Sequence, residues 1–500
     1  MKMIFVELME VFDEDPMMQM LVEDYANYSF DQAPLIIDLD GTLVRSDLCV
    51  ESVFAFLGRN PLRVFELLSS LRHGKAAVKS LVATKTGIDA AHLPYDEDVL
   101  KLVRGARALG RPVYLASASN ERYVRAVAEH LGLFDGWFAS SGANNLSASA
   151  KAVCLVEAFE KGGFDYVGNA RADLPVWAVA RRRVGVHVSR SVRARLLKID
   201  DEAVFLEDQQ DRLGAWMRLL RIHQWAKNAL VFVPLLTAQR FNLLSIGESV
   251  GAFVAFSLAA SAIYIFNDLV DLDADRKHPS KKQRPLAAGK VPILEALAAA
   301  PILLVVAIAV AGLIAPWFAA VVLSYAALSM AYTFLLKRKM MVDIVALASL
   351  YTIRVIGGAA AISVPVSEWL LGFSMLIFTA LALIKRYVEL ASRLDADLPD
   401  PTNRNYRKSD LSIIAALAAA AGFNAVTLFA LYISSDTVRH LYRHPAALWL
   451  ICPILLYWLG RALLIAHRRT MHDDPIVFAL KDWNSILAIA LIAIIMIGAI

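Results

Sequence analysis

From Trp225 to the C-terminus the chain is a succession of apolar runs, most of them near the length a helix needs to cross a bilayer. About nine can be counted, centred near Val233, Phe256, Val305, Tyr325, Ser349, Phe378, Ala420, Ile454 and Ile489. Such a train leaves few folds open. Inside a bilayer every backbone polar group must find its partner within the protein, and runs of this length meet that demand as helices. The 58% hydrophobic fraction of the 500 residues is too high for an ordinary soluble chain. The excess lies almost wholly after Trp225. The expectation is a soluble head on 1–200, a linker helix on 201–217, and an all-α polytopic membrane domain of about nine spans on 218–500.

The connections between runs alternate in charge. One set carries Arg276 to Lys290, Lys337 to Lys339, Lys385 to Lys408 and Arg461 to Lys481; the other holds little beyond Arg240, Arg439 and Arg443. Positive loops stay on the cytoplasmic side. The expectation is therefore a multi-pass protein of the inner (cytoplasmic) membrane, with the head in the cytoplasm and the C-terminus outside. A net charge of +4 makes no case for nucleic acid. Cys49, Cys154 and Cys452 have neither metal-site nor redox spacing. The acidic leader MKMIFVELMEVFDEDPMM lacks a sustained apolar core, so no cleaved signal peptide is expected. The oligomeric state stays open.

Asn267 to Pro285 reads NDLVDLDADRKHPSKKQRP and follows an apolar run. If the helix continues, Asp268, Asp271 and Asp275 are offset by three, four and seven residues and share one face, with Asn267 four before Asp271. Carboxylates clustered at a membrane surface repel one another unless a cation intervenes. Mg²⁺ suits such oxygen ligands and is often shared with substrate phosphates. Arg276, Lys277, Lys281, Lys282 and Arg284 follow as candidate phosphate partners; a solvated acidic-then-basic loop is the plainer reading. On the same face Lys385 and Arg386 sit one turn before Glu389. A third group, Asp473, Asp474, Lys481 and Asp482, reads either as a substrate lid or as a solvated loop. Arg221, Lys227 and Asn228 crowd the start of the first run beside Trp225, where basic and aromatic residues also serve as interface anchors. Lys337, Asp343 and Arg354 are further ionisable residues in or near the bilayer.

In the head, LIIDLDGTL (Leu35 to Leu43) reads as a buried strand running into a tight turn. Two acidic residues separated by one at a strand's end can place Asp38 as nucleophile and Asp40 as general acid. Alternating strand and helix patterns point to an α/β parallel sheet. The motif resembles the first motif of the haloacid dehalogenase (HAD) superfamily. That resemblance implies a phosphate-binding Ser117 at the end of RPVYLASAS, a charge-neutralising Lys151, and a last acidic motif in DYVGNARADLPVW with Asp173 in its second acidic position. It also implies a helical cap over about 44–98 and Mg²⁺ held by Asp38, Asp40, Asn169 and Asp173. Asn169 stands where the superfamily usually has Asp; it brings no charge, so metal affinity falls. The head is then either an active phosphatase or a retired scaffold.

NDxxDxxxD from Asn267 to Asp275, followed by Arg284 and Pro285, resembles the first motif of the UbiA superfamily of intramembrane prenyltransferases. Members acting on aromatic acceptors carry a second acidic pair after the sixth span, where this chain has KRYVE, Lys385 to Glu389. That departure, RxxQWxKN from Arg221 to Asn228, YTFLLKR and HDDPIVFAL resemble the decaprenyl-phosphate phosphoribosyltransferase branch. The resemblance implies phosphoribosyl pyrophosphate as donor and polyprenyl phosphate as acceptor. Asp268, Asp271, Asp275 and Asn267 would hold Mg²⁺ on the departing pyrophosphate. A nearby carboxylate, Glu389 among the candidates, would stabilise the developing cation at ribose C1. Lys385, Arg386, Arg221, Lys227, Asn228, Lys282, Arg284 and Lys337 would take phosphates. The product keeps a ribose 5-phosphate, which the head could remove, and the resemblance implies a part in cell wall biosynthesis. Two alternatives stand beside this reading: an aromatic prenyltransferase using a polyprenyl diphosphate, and a non-enzymatic transporter or scaffold.

Overall fold

The computed structural model describes residues 33–141, 145–207, 211–401, 404–471 and 474–500; the leader and Asp473 lie outside them. The chain divides into two compact units, Met1–Leu219 with Phe266–Ala298, and Leu220–Ile265 with Ala299–Ile500.

The first unit is built on six strands, β1 (Leu35–Asp38), β2 (Val113–Asn120), β3 (Gly136–Ser140), β4 (Asp165–Gly168), β5 (Arg183–Val186) and β6 (Val204–Leu206). Their order is β3-β2-β1-β4-β5-β6, and every pairing is parallel. A parallel sheet is covered on both faces, so its strands are apolar throughout. In β1 the alternation is visible: Leu35 and Ile37 join one core with Val113, Leu115 and Val184, while Ile36 joins the other with Phe164, Tyr166 and Trp177. The strand order reverses at β1, and the crevice beyond the carboxyl ends of strands flanking such a reversal is where ligands bind in open α/β sheets. Asp38 ends β1, Ser117 and Ser119 lie late in β2, and Asn169 follows β4. The insertion after β1 is helical, with Leu48–Arg59, Val64–Leu71 and Lys75–Lys85, as a cap would be. Strand β6 stands in the stretch expected to be a linker helix; helix begins only at Arg212–Leu219. Val184, Gly185 and Val186 offer β6 a ladder, and this tertiary pairing overrides the local helical pattern.

Among the described residues seven helices are long and apolar enough to cross a membrane, so the chain is a multi-pass membrane protein. They are Leu243–Val270, Ile293–Ile314, Pro316–Phe334, Val342–Ala361, Glu368–Asp395, Lys408–Ile433 and Pro445–His467. The remaining two apolar runs take other forms. Ile222–Phe232 is a 3-10 helix followed by the short helix Val233–Thr237, and Trp483–Ala499 has 17 residues. In the second unit the 3-10 segment packs hard against Val342–Ala361. A Cβ on Gly358 would lie 2.1 Å from the Val231 carbonyl oxygen. Small residues of this kind let backbones approach within a membrane.

Candidate functional sites

In the head, the carboxyl ends of β1, β2 and β4 gather a buried polar group. Lys151, in the first turn of Ser149–Phe159, donates to Asp38 Oδ1 at 2.7 Å, to the Tyr166 hydroxyl at 2.9 Å and to Asp173 Oδ1 at 3.3 Å. Burial pushes the Asp38 carboxyl up to about 7, against the pull of Lys151, and the neighbouring Asp173 adds to the rise. Asp173 Oδ1 also accepts from Tyr166 at 2.7 Å, and its Oδ2 accepts the backbone N–H groups of Asn169 and Ala170 at 3.1 and 3.0 Å. Asp173 therefore fixes the loop after β4 as well as facing Lys151. Asp40 Oδ2 accepts from both Ser117 (2.9 Å) and Ser119 (2.7 Å), and Oδ1 from the Leu48 N–H that opens the cap (2.9 Å). Ser119 and Tyr166 also belong to this group, and in the sequence only their polar character within apolar strands marks them.

The Asn169 side-chain oxygen is buried and has no hydrogen-bond partner. An orphaned buried acceptor is the kind of group a cation such as Mg²⁺ satisfies. Gly41 follows Asp40 at φ +78°, and a Cβ there would lie 2.0 Å from the Asn169 amide nitrogen. Gly41→Ala is expected to cost the head about 1–3 kcal/mol, seen as a lowered first transition in a thermal melt of the detergent-solubilised chain.

The second group lies at the end of Leu243–Val270, whose hydrogen bonds carry on through Asp271 into Leu272–Lys277 (Asp271 N to Asn267 O 2.9 Å, Asp275 N to Asp271 O 2.8 Å). The helix continues much as the spacing requires. Asp268 and Asp275, two turns apart and each 3% exposed, converge on one Arg284 Nη1 at 3.2 and 2.5 Å. Burial pushes the Asp275 carboxyl up, opposed by Arg284. The guanidinium marks where two carboxylates meet a cation, and two carboxylates plus phosphate oxygens are a usual Mg²⁺ set. Among the described residues no three His, Cys, Asp or Glu side chains converge as a metal cage. Asn267 and Asp271 lie on the same helix end, and Lys282 is exposed in the following loop. Arg276, expected among the phosphate partners, is instead buried in a two-pronged pair with Glu51 of the cap helix (2.7 and 2.5 Å). Lys277 pairs with Asp273 and Asp89.

In the second unit, Lys385 and Arg386 diverge. Lys385 Nζ reaches Asp474 Oδ2 at 2.7 Å, and Lys227 Nζ reaches the same oxygen at 3.1 Å. Burial would raise the Asp474 carboxyl, but Lys385 and Lys227 outweigh it and hold it well below the usual carboxylate range. Asn228, next to Lys227, accepts from Arg354 Nε at 2.8 Å and donates to Ser257 at 3.0 Å; Arg354 also donates to the Tyr325 hydroxyl at 3.1 Å. The Arg221 guanidinium stacks over the Tyr264 ring at 4.8 Å. Arg386, 1% exposed, instead donates to Asp343 at 2.7 Å and pairs with Glu389; Tyr406 donates to Asp343 at 2.6 Å. Arg404 adds contacts to Asp343 (3.7 Å) and Glu389 (3.4 Å). Lys337 lies in the 3-10 turn Leu336–Arg338. Asp482 caps Trp483–Ala499 and holds Arg461 at 2.6 and 2.9 Å.

Comparison with known proteins gives this arrangement a family. The UbiA prenyltransferase family model matches residues 230–495, just over half of the chain. The chain belongs to the UbiA prenyltransferase family. This UbiA-family chain is 36% identical over 464 residues to an uncharacterized protein, y4nM, of Sinorhizobium fredii, covering 92% of this chain and 90% of that one. It is 39% identical over 196 residues to decaprenyl-phosphate phosphoribosyltransferase of Mycobacterium tuberculosis, covering 38% of this chain and 64% of the relative. A solved UbiA homologue from Archaeoglobus fulgidus, bound to GPP and Mg²⁺, aligns with a TM-score of 0.45 at 14% identity over 57% of this chain and 99% of that chain.

Proposed function

We propose that the membrane domain transfers phosphoribose from phosphoribosyl pyrophosphate to polyprenyl phosphate. The observation that carries this reading is the cationic group of the second unit. Lys227 and Lys385 share a single described carboxylate, Asp474, and Arg354 is held to Asn228 next to Lys227, where a UbiA enzyme for aromatic acceptors needs acidic residues. An excess of positive charge in a low-dielectric setting favours an anionic substrate such as a lipid phosphate. The phosphoribosyltransferase name of the mycobacterial relative points the same way. Asp268, Asp271, Asp275 and Asn267 would hold Mg²⁺, which supplies neutralisation of the charge that grows on departing pyrophosphate. Arg284, Lys282, Lys337 and Arg221 are the further phosphate partners. Arg386 and Glu389 act through the ion-pair network that holds their helix. The head is read as a phosphomonoesterase, with Asp38 as nucleophile and Asp40 as acid, working with Mg²⁺ and with Ser117 and Lys151 on the phosphate. The basic loops orient the head toward the cytoplasm of an inner-membrane protein.

Equilibrium binding in nanodiscs tests the acceptor assignment. Polyprenyl phosphate is expected to bind well above the uncharged polyprenol, and Lys385→Ala to weaken the phosphate about 10- to 100-fold while leaving the polyprenol unchanged. Equal binding of both lipids by the wild type contradicts the reading.

A further inference from the structure

The first unit holds a cavity of about 520 Å³ lined in part by Asp40, Gly41 and Asn169. Gly289, Lys290, Pro292, Ile293 and Leu294 also line it. Those last residues are the entry to Ile293–Ile314, a helix apolar enough to span the bilayer. A catalytic cleft of a hydrolase acting on soluble metabolites has no need of a wall made from the first turn of a membrane helix. Leu294 is 56% exposed, and Lys290 is exposed beside it. Gly289, at φ +66°, lies against the cap entry; a Cβ there would meet Arg45 Cβ at 2.6 Å, so this wall is closely fitted to the head. Asn169, whose side-chain oxygen is buried and unpartnered, also lines the cavity. The cavity thus joins Asp40 and Asn169, beside the polar group at the strand ends, to Lys290 and Leu294, where an apolar helix begins.

We propose that the head hydrolyses a phosphomonoester carried on a membrane lipid, with Lys290 and Leu294 as specificity-determining residues. This rests on the phosphomonoesterase reading of the head. The phosphate lies toward Asp40 and Asn169; Lys290 meets the anionic linkage between head group and lipid; the hydrocarbon leaves along Pro292, Ile293 and Leu294. Hydrolysis consumes water, breaks the phosphorus–oxygen ester bond, releases inorganic phosphate and leaves the alcohol on the lipid. A lipid-linked sugar phosphate has this form, and so does the product assigned to the membrane domain.

The test uses the full chain with Mg²⁺ in phosphatidylcholine vesicles and measures phosphate release from two probes, polyprenyl-phosphoryl-5-phosphoribose and soluble ribose 5-phosphate. The expected result is a kcat/KM ratio favouring the lipid probe by at least about tenfold. Leu294→Glu and Lys290→Glu, made separately, should each lower that ratio by about tenfold. Because the ratio is taken within one preparation, partial loss of folded protein cancels. Equal cleavage of both probes, or a ratio untouched by both variants, overturns the lipid assignment and leaves the hydrolase standing. Cleavage of neither probe, with Asp38→Asn indistinguishable from wild type, overturns the hydrolase reading and the lipid assignment with it.

Discussion

Asp268→Ala should lower transfer of phosphoribose to lipid about 10²–10³-fold, the cost of removing one preorganised electrostatic group from a reacting centre. The geometry separates this loss from a loss of folding. Arg284 stands between Asp268 and Asp275 and keeps its 2.5 Å contact to Asp275 when Asp268 is gone, so the guanidinium is not left without a carboxylate. Arg284→Gln is the complementary variant: it removes the guanidinium and leaves both carboxylates to repel. In the presence of ample Mg²⁺ it should retain the melting temperature better than in its absence, because a divalent ion can take over the neutralising role. Activity against Mg²⁺ concentration, together with a thermal melt, measures both.

Arg386→Met should destabilise the membrane domain by about 3–5 kcal/mol, as breaking a buried ion pair by removing one partner does. Asp343 is 0% exposed and would keep, among the described residues, Tyr406 and the more distant Arg404. Removing both charges in Arg386→Met with Asp343→Leu should recover a large part of the loss, since it is the stranded carboxylate that is costly. Lys385→Ala, one residue away, should leave the melting temperature close to wild type and act on acceptor binding. Adjacent residues with opposite phenotypes would show that the Lys-Arg pair divides into one substrate cation and one structural cation.

That division was not legible in the sequence. Lys385 and Arg386 are neighbours there and look alike, while their partners, Asp474 and Asp343, lie 89 and 43 residues away. Nothing local reports which way two adjacent helical side chains point once other helices pack around them. Arg276 is a similar case: in a basic loop it reads as a phosphate partner, but Glu51, 225 residues earlier, claims it. By contrast the Asp268–Asp275 pair was legible, because the offset of seven is fixed by helix period alone. So was β1, whose run of apolar residues ending at Asp38 is what a strand buried on both faces requires. The first apolar run illustrates the limit of counting. Ile222–Phe232 is apolar enough to suggest a span, yet Lys227 and Asn228 turn inward to Asp474 and Arg354, and the segment takes a 3-10 path that places them.

Purified chain in vesicles with Mg²⁺, ribose-labelled phosphoribosyl pyrophosphate and polyprenyl phosphate gives the most direct measurement. The account predicts label in the lipid fraction, dependent on polyprenyl phosphate and reduced in Asp268→Ala. No lipid label from a well-folded preparation, with prenylated product formed instead from a polyprenyl diphosphate and an aromatic acceptor, would contradict it.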